Sequence, residues 1–165
     1  MSENSETSAF DGAKYRQVLG HFPTGVAVIT AMTDEGPAGM AIGSFTSLSL
    51  DPALVLFSAT KTSASWGKLR GAGKFCVNIL ADDQEDVSRV FGSKADDKFS
   101  EIGWKHSGNG APLINGVLAY IDCDLHSVLD GGDHDIIVCA VTDLDVKHEG
   151  GALVFFRGGY GRVAF

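Results

Sequence analysis

Hydroxyl-bearing side chains crowd one apolar stretch of this sequence. Residues 39–56 read GMAIGSFTSLSLDPALVL, with Ser44, Thr46, Ser47 and Ser49 set among Met, Ile, Phe and Leu. Such a wall suits a flat aromatic ring with a polyhydroxyl tail. Apolar side chains pack on the ring, while hydroxyls and backbone N–H groups bind the tail and a phosphate. An ordinary strand and turn with exposed Ser and Thr has the same composition, so both readings stand. A second stretch, GGDHDII at 131–137, puts His134 at a hairpin tip between two aspartates that favour its charged form. It is either an exposed turn histidine or a histidine at the mouth of a barrel, in reach of a ligand. A third, FFRGGYGRV at 155–163, sets Tyr160 between glycines and beside Arg157 and Arg162. Stacking or anion binding is one reading of it, and a solvated strand end is the other.

Other chemistries lack their residues. There is no HExxH, GxSxG, GK[ST] or GxGxxG pattern. The five histidines, His21, His106, His126, His134 and His148, never pair with a cysteine or with one another at metal-ligand spacing. The formal charge of −8 argues against nucleic acid and anionic membrane surfaces as partners. A local cluster of donors can still hold a phosphate. No apolar run reaches membrane-spanning length, and residues 1–9, MSENSETSA, read as a disordered polar tail without signal-peptide features. Cys76, Cys123 and Cys139 each sit in an apolar run and read as buried reduced thiols. These features point to a cytoplasmic protein.

The elements that must position these residues follow from periodicity and punctuation. Tyr15, Val18, Leu19 and Phe22 share one helical face over residues 10–22, with Asp11 as cap and Pro23 as stop. GVAVITA (25–31) and residues 40–45 read as two strands of a hairpin around DEGPAG. Residues 54–58 and 75–80 are strands. Ser63 caps a short helix through Arg70 with Trp66 and Leu69 inward. A helix opened by Asp82-Asp83 presents Val87, Val90 and Phe91 on one face. Residues 92–116 read as irregular. Strands at 119–129 and 135–146 form a hairpin, and 153–156 is the last. About seven strands joined by turns, with two or three short helices, predict one antiparallel barrel or sandwich domain over residues 10–165.

At these residues the chain resembles the flavin reductase-like family, the reductase components of two-component monooxygenases such as the 4-hydroxyphenylacetate and phenol hydroxylase systems. The matching pieces run in order: FPTGVAVIT (22–30), GMAIGSFTSLSLDPALVL (39–56), FCVNIL (75–80), VSRVFG (87–92), GDHDIIV (132–138) and LVFFRGGYGRV (153–163). The resemblance implies a mainly β chain: a Greek-key split β-barrel of the FMN-binding type with a few short helices, built as a homodimer. It implies hydride transfer from NADH or NADPH to FMN or FAD, with reduced flavin leaving to a monooxygenase.

By matching position, Met40, Ala41, Ile42, Gly43, Ser44 and Phe45 line the isoalloxazine ring, and Ser44 bonds the flavin. Ser47 and Ser49 meet the ribityl and phosphate end. Ser58, Ala59, Thr60, Lys61 and Ser63 complete the phosphate site, with Lys61 as charge partner. Arg89, Phe91 and Gly92 fall near the flavin tail. His134 matches the histidine that meets the nicotinamide nucleotide, and Tyr160 an aromatic near the same place. Two departures stand out: Gly43 replaces a common Asn, and Cys139-Ala140 replaces a Gly-Arg or Gly-Glu pair. The competing expectation is a flavin-binding storage or electron-carrier protein without nicotinamide turnover. A split-barrel oxidase acting on a phosphorylated amine needs more basic residues than the sequence supplies.

Overall fold

The computed structural model describes residues 10–163, so the tail expected at 1–9 lies outside them. Helix α1 (Gly12–Leu19) begins where the Ala13 N–H donates to Asp11 Oδ1 at 3.1 Å, and it ends on Gly20 as C-cap, short of the stop expected at Pro23. Strand β1 (Thr24–Gly25) precedes the hairpin of β2 (Ala27–Thr33) and β3 (Gly36–Ile42). A second hairpin joins β4 (Thr46–Leu50) to β5 (Ala53–Thr60) around a cis Asp51–Pro52 bond. Helix α2 (Ala64–Leu69) follows, with the Trp66 N–H donating to the Ser63 hydroxyl at 3.2 Å. Next come β6 (Lys74–Ile79), α3 (Glu85–Phe91), and a small hairpin of β7 (Trp104–His106) and β8 (Pro112–Ile114). The long hairpin of β9 (Ala119–Gly131) and β10 (His134–Val146) leads to β11 (Leu153–Phe156) and β12 (Gly159–Arg162).

Seven strands form one antiparallel sheet in the order β3-β2-β6-β9-β10-β5-β4. Its two outermost strands, β3 and β4, are consecutive in the chain and joined only by residues 43–45. Such a link spans at most about 14 Å, so the sheet must curl until its edges approach. No described ladder pairing joins β3 to β4, which makes the result a split barrel, as expected, and not a closed one.

Curling gives the sheet two apolar faces. Phe75 and Val77 of β6 point into the barrel with Ile29, Phe57, Ile137, Trp66 and Leu69. Cys76, in alternation, joins Val28, Phe91, Phe99, Leu113, Ile114 and Leu153 in a second cluster outside it. Asn78, fully buried on β6, pins β8 to this outer face: its side-chain oxygen accepts from the Ile114 N–H at 2.8 Å, and its amide donates to Val28 O at 3.1 Å.

The expected hairpins and helices are present with shifted bounds: β3 begins at Gly36, inside the expected turn, and α3 begins at Glu85, after Asp82-Asp83, while the strand inventory is longer. Strands β1, β4, β7, β8 and β12 were not foreseen. Residues 92–116, read as irregular, carry β7, β8 and much of the outer cluster. Their apolar residues are spaced by Gly, Asn and Pro, and they become core only because the outer face of β2 and β6 needs a cover. Among the described residues nothing covers the apolar face of α1 or the turn after it: Tyr15, Val18, Leu19 and Phe22 are exposed.

Candidate functional site

A cleft of about 660 Å³ opens between β3, the start of α2 and the segment after α3. Its back wall rests on a glycine. A Cβ at Gly39 would lie 2.7 Å from the Phe91 ring, so only glycine lets that ring seat against β3. Phe91 is itself fixed edge-on to Phe99 at 4.9 Å between centroids. Met40, Ala41, Phe91 and Phe99 give the cleft an apolar side, and Thr62, Ser63 and Ser65 give it a hydroxyl rim. Of the residues expected to bind flavin, the structure brings together Met40, Ala41, Ser63, Phe91 and Gly92 here.

Sequence reasoning missed the most unusual side chain of this cleft. Lys98 is only 9% exposed. Its ammonium donates to Ser65 Oγ and Phe91 O, both at 3.0 Å, with Gly39 O more distant at 3.5 Å. Burial, helped by the nearby charge of Lys68, lowers its pKa. In the sequence Lys98 stands in the charged run KADDK, which reads as a solvated loop. Only the packing of β3 and α3 encloses it.

Gly43, Ser44 and Phe45 line a different cleft of about 510 Å³, shared with Phe22–Ala27, Thr46 and Ile79. The strip 40–45 thus serves two clefts, while Ile42 between them is buried in the barrel core. Ser44 extends the β4–β5 pairing by a side-chain clamp. Its hydroxyl donates to Ser58 O at 2.9 Å and accepts from the Ser58 N–H at 3.0 Å. A Cβ at Gly43 would approach Thr24 Oγ1 to 2.8 Å, so a side chain here would require Thr24 to turn aside. Ser47 and Ser49 lie on β4, the edge strand of the sheet, and line neither cleft.

The β9–β10 turn is stitched to the segment 58–63. His134 stands opposite Thr60 in the β10–β5 ladder, and its Nε2 lies 3.3 Å from Thr60 Oγ1. Its Nδ1 lies 2.7 Å from Asp133 Oδ1, and this contact holds the Asp133 carboxyl below its ordinary pKa. The Lys61 N–H donates to Asp133 O at 3.0 Å. The Lys61 ammonium, expected as a phosphate's charge partner, pairs with Asp130, and each raises or lowers the other's pKa toward the charged pair. One residue on, buried Asp135 accepts from Trp66 Nε1–H at 2.8 Å and lies 3.7 Å from the Arg70 guanidinium. Ala59 is buried in the barrel, while Ser58 is half-buried beside Ser44.

Tyr160 of β12 and Arg89 of α3 form a separate group. The Tyr160 and Ser88 hydroxyls are 2.8 Å apart, and the Arg89 guanidinium sits 5.0 Å from the centre of the Tyr160 ring. Arg89 also pairs with Glu85 at 2.7 Å and lines neither cleft. Within one protomer Tyr160 therefore belongs with α3 and His134 with β5.

Residues 19–164 match the flavin reductase like domain. A flavin reductase of Pseudomonas putida is 53% identical over 158 residues, which cover 95% of this chain and 93% of that protein. The chain belongs to the flavin reductase-like family. Reductase subunit HsaB of a flavin-dependent monooxygenase from Mycobacterium tuberculosis is 49% identical, covering 93% of this chain and 83% of that one. Nitrilotriacetate monooxygenase component B from Mycobacterium thermoresistibile superposes with a TM-score of 0.90 at 46% identity, covering 96% of this chain and 89% of that one. The Streptomyces globisporus NADH:FAD oxidoreductase SgcE6, solved with NAD and FAD fragments, gives 0.88 at 35% identity, covering 93% of each chain. The residues present fit the flavin of such a reductase: the cleft volume is within the range of small-molecule sites, with an apolar wall for a ring and hydroxyl donors for a tail.

Proposed function

We propose that this flavin reductase uses NADH or NADPH to reduce FMN or FAD and passes the reduced flavin to a partner monooxygenase. The observation that carries this reading is the GDH turn stitched to residues 58–61, one step along the chain from the Thr62–Ser65 rim of the apolar cleft. Bound flavin supplies the redox chemistry by accepting a hydride. The chain's own task is to bind, orient and exclude water. Met40, Ala41 and Phe91 offer apolar contact to the ring, and Ser63 offers a hydroxyl to the tail. His134, anchored through Thr60 and Asp133, orients the nicotinamide and moves no proton in the hydride step. The reading is supported by relatives named as monooxygenase reductase subunits and as an FMN reductase (NADH).

Residues 10–165 work as one domain, and two copies associate. The exposed apolar face of α1 supports the homodimer. No helix among the described residues is long and apolar enough to cross a membrane. The three unpaired, buried thiols suit a reducing, cytoplasmic setting.

The test is to mix purified protein with NADH and FMN or FAD and follow the nicotinamide absorbance. Turnover that requires both supports the reductase. Flavin binding without nicotinamide oxidation makes the chain a carrier instead. In the same assay His134→Ala raises KM for NADH several-fold and leaves flavin affinity unchanged. Wild-type KM and turnover in that variant would remove His134 from the site.

A further inference from the structure

Two Asn-Gly pairs stand in the segment that covers the outer face of the sheet, Asn109-Gly110 and Asn115-Gly116. Such a pair can react with itself. The glycine backbone nitrogen attacks the side-chain carbonyl carbon of the asparagine, and no side chain on the glycine obstructs it. The reaction needs an asparagine amide free to turn and a glycine N–H free to give up its proton. The structure treats the two pairs oppositely.

Asn109 is locked. It is half-buried, its Nδ2 donates to Phe75 O at 2.9 Å, and its Oδ1 accepts from the Ser107 hydroxyl at 2.9 Å and from the Ala111 N–H at 3.0 Å. The Gly110 N–H is committed to Ser107 O at 3.0 Å. Attack would first have to break these bonds, each at a cost in free energy.

Asn115 and Gly116 are exposed, in the turn between β8 and β9. Among the described residues, the Asn115 side chain and the Gly116 N–H make no hydrogen bond. Gln84 Nε2 donates to Asn115 O at 2.9 Å. That bond draws electron density from the same peptide group whose N–H must ionise, and so stabilises the attacking anion. Lys105 and Lys147 share a small cleft of about 230 Å³ with this pair, and neither joins an ion pair among the described residues. Their charge favours both the anionic nitrogen and the carboxylate that replaces the amide.

We propose that Asn115 is a site of spontaneous covalent modification, and that Asn109, with the same neighbour in sequence, is protected by the fold. A bond forms between the Gly116 nitrogen and Asn115 Cγ, the Cγ–Nδ2 bond breaks, and the Gly116 proton leaves with the amide nitrogen as ammonia. Water then opens the cyclic imide at either carbonyl. One opening leaves aspartate at 115, and the other leaves isoaspartate, with the backbone running through the side chain. The net change is hydrolysis of an amide, and no step involves flavin or nicotinamide. Either product adds a negative charge beside Lys105 and Lys147. Isoaspartate also lengthens the turn by a methylene and disturbs the Gln84 bond at the start of α3.

The test ages purified wild-type protein at physiological temperature and mildly alkaline pH, with a parallel sample in urea. Tandem mass spectrometry reads the amide-to-acid change separately at 109 and 115, and labelling by an isoaspartyl methyltransferase reads the isoaspartate. In the folded protein, position 115 should convert roughly tenfold or more faster than 109, because only 109 must break its hydrogen bonds first. In urea the two rates should converge, since only the shared Asn-Gly sequence remains. Asn115→Gln should remove most of the methyltransferase labelling and leave Tm unchanged. A folded protein that converts 109 as fast as 115, or first, overturns the proposal. So do rates that stay apart in urea, which would assign the difference to flanking sequence, and labelling that persists in Asn115→Gln.

Discussion

Gly39 shows how one missing side chain shapes the cleft. Its hydrogen stands where a Cβ would press into a Phe91 ring that Phe99 prevents from retreating. Gly39→Ala should therefore cost about 1–3 kcal/mol, the usual toll of overpacking a filled site. Thermal unfolding should show Tm lower by several degrees, and flavin affinity should fall because the displaced ring forms the cleft wall. An unchanged Tm would mean that Phe91 has room to move. Ser44 offers a second lesson at this scale. The sequence reading gives its hydroxyl to the ligand, and the structure commits it to both backbone groups of Ser58. A hydroxyl is a donor and an acceptor at once, and position alone does not tell which partner it finds.

At the scale of elements, the turn that carries His134 is fixed from two sides. Thr60 and Lys61 hold it along the β5 edge, and Asp135 ties it to α2 through Trp66. Asp135→Ala would leave the buried Trp66 N–H without an acceptor, a loss of about 1–3 kcal/mol. It would also free the hairpin end beside His134, so KM for NADH should rise together with the fall in stability. Asp135→Asn keeps an acceptor oxygen and should do much less on both measures. Equal behaviour of the two variants would show that the Trp66 bond does not position the turn. Since α2 also opens the rim of the cleft at Ser63 and Ser65, this one carboxylate couples the histidine's frame to the hydroxyl rim of the cleft.

For the whole molecule, the uncovered face of α1 is the feature that a single protomer leaves unexplained. Tyr15, Val18 and Leu19 on α1 and Phe22 in the turn after it are more than half exposed, and Phe155 is exposed as well. Monomeric proteins rarely leave such contiguous apolar patches in water. Sedimentation of the wild-type chain should give twice the chain mass, and the double variant Val18→Asp, Leu19→Asp should sediment as a monomer. A dimeric double variant would place the interface elsewhere.

Much of this was legible in the sequence. Local signals decided the capped helices, the Trp66 and Leu69 face of α2, the long β9–β10 hairpin and the predominance of antiparallel strands, because caps, turns and period-two alternation act over a few residues. The resemblance of ordered motifs identified the family. What the tertiary structure decided were the matters of long-range company. It made a core of residues 92–116, split the strip 40–45 between two clefts, gave Lys61 to Asp130 and enclosed Lys98 without a counter-ion. Burial and pairing depend on which distant segments fold against a residue. A lysine in a charged run carries no mark of whether the sheet will close over it.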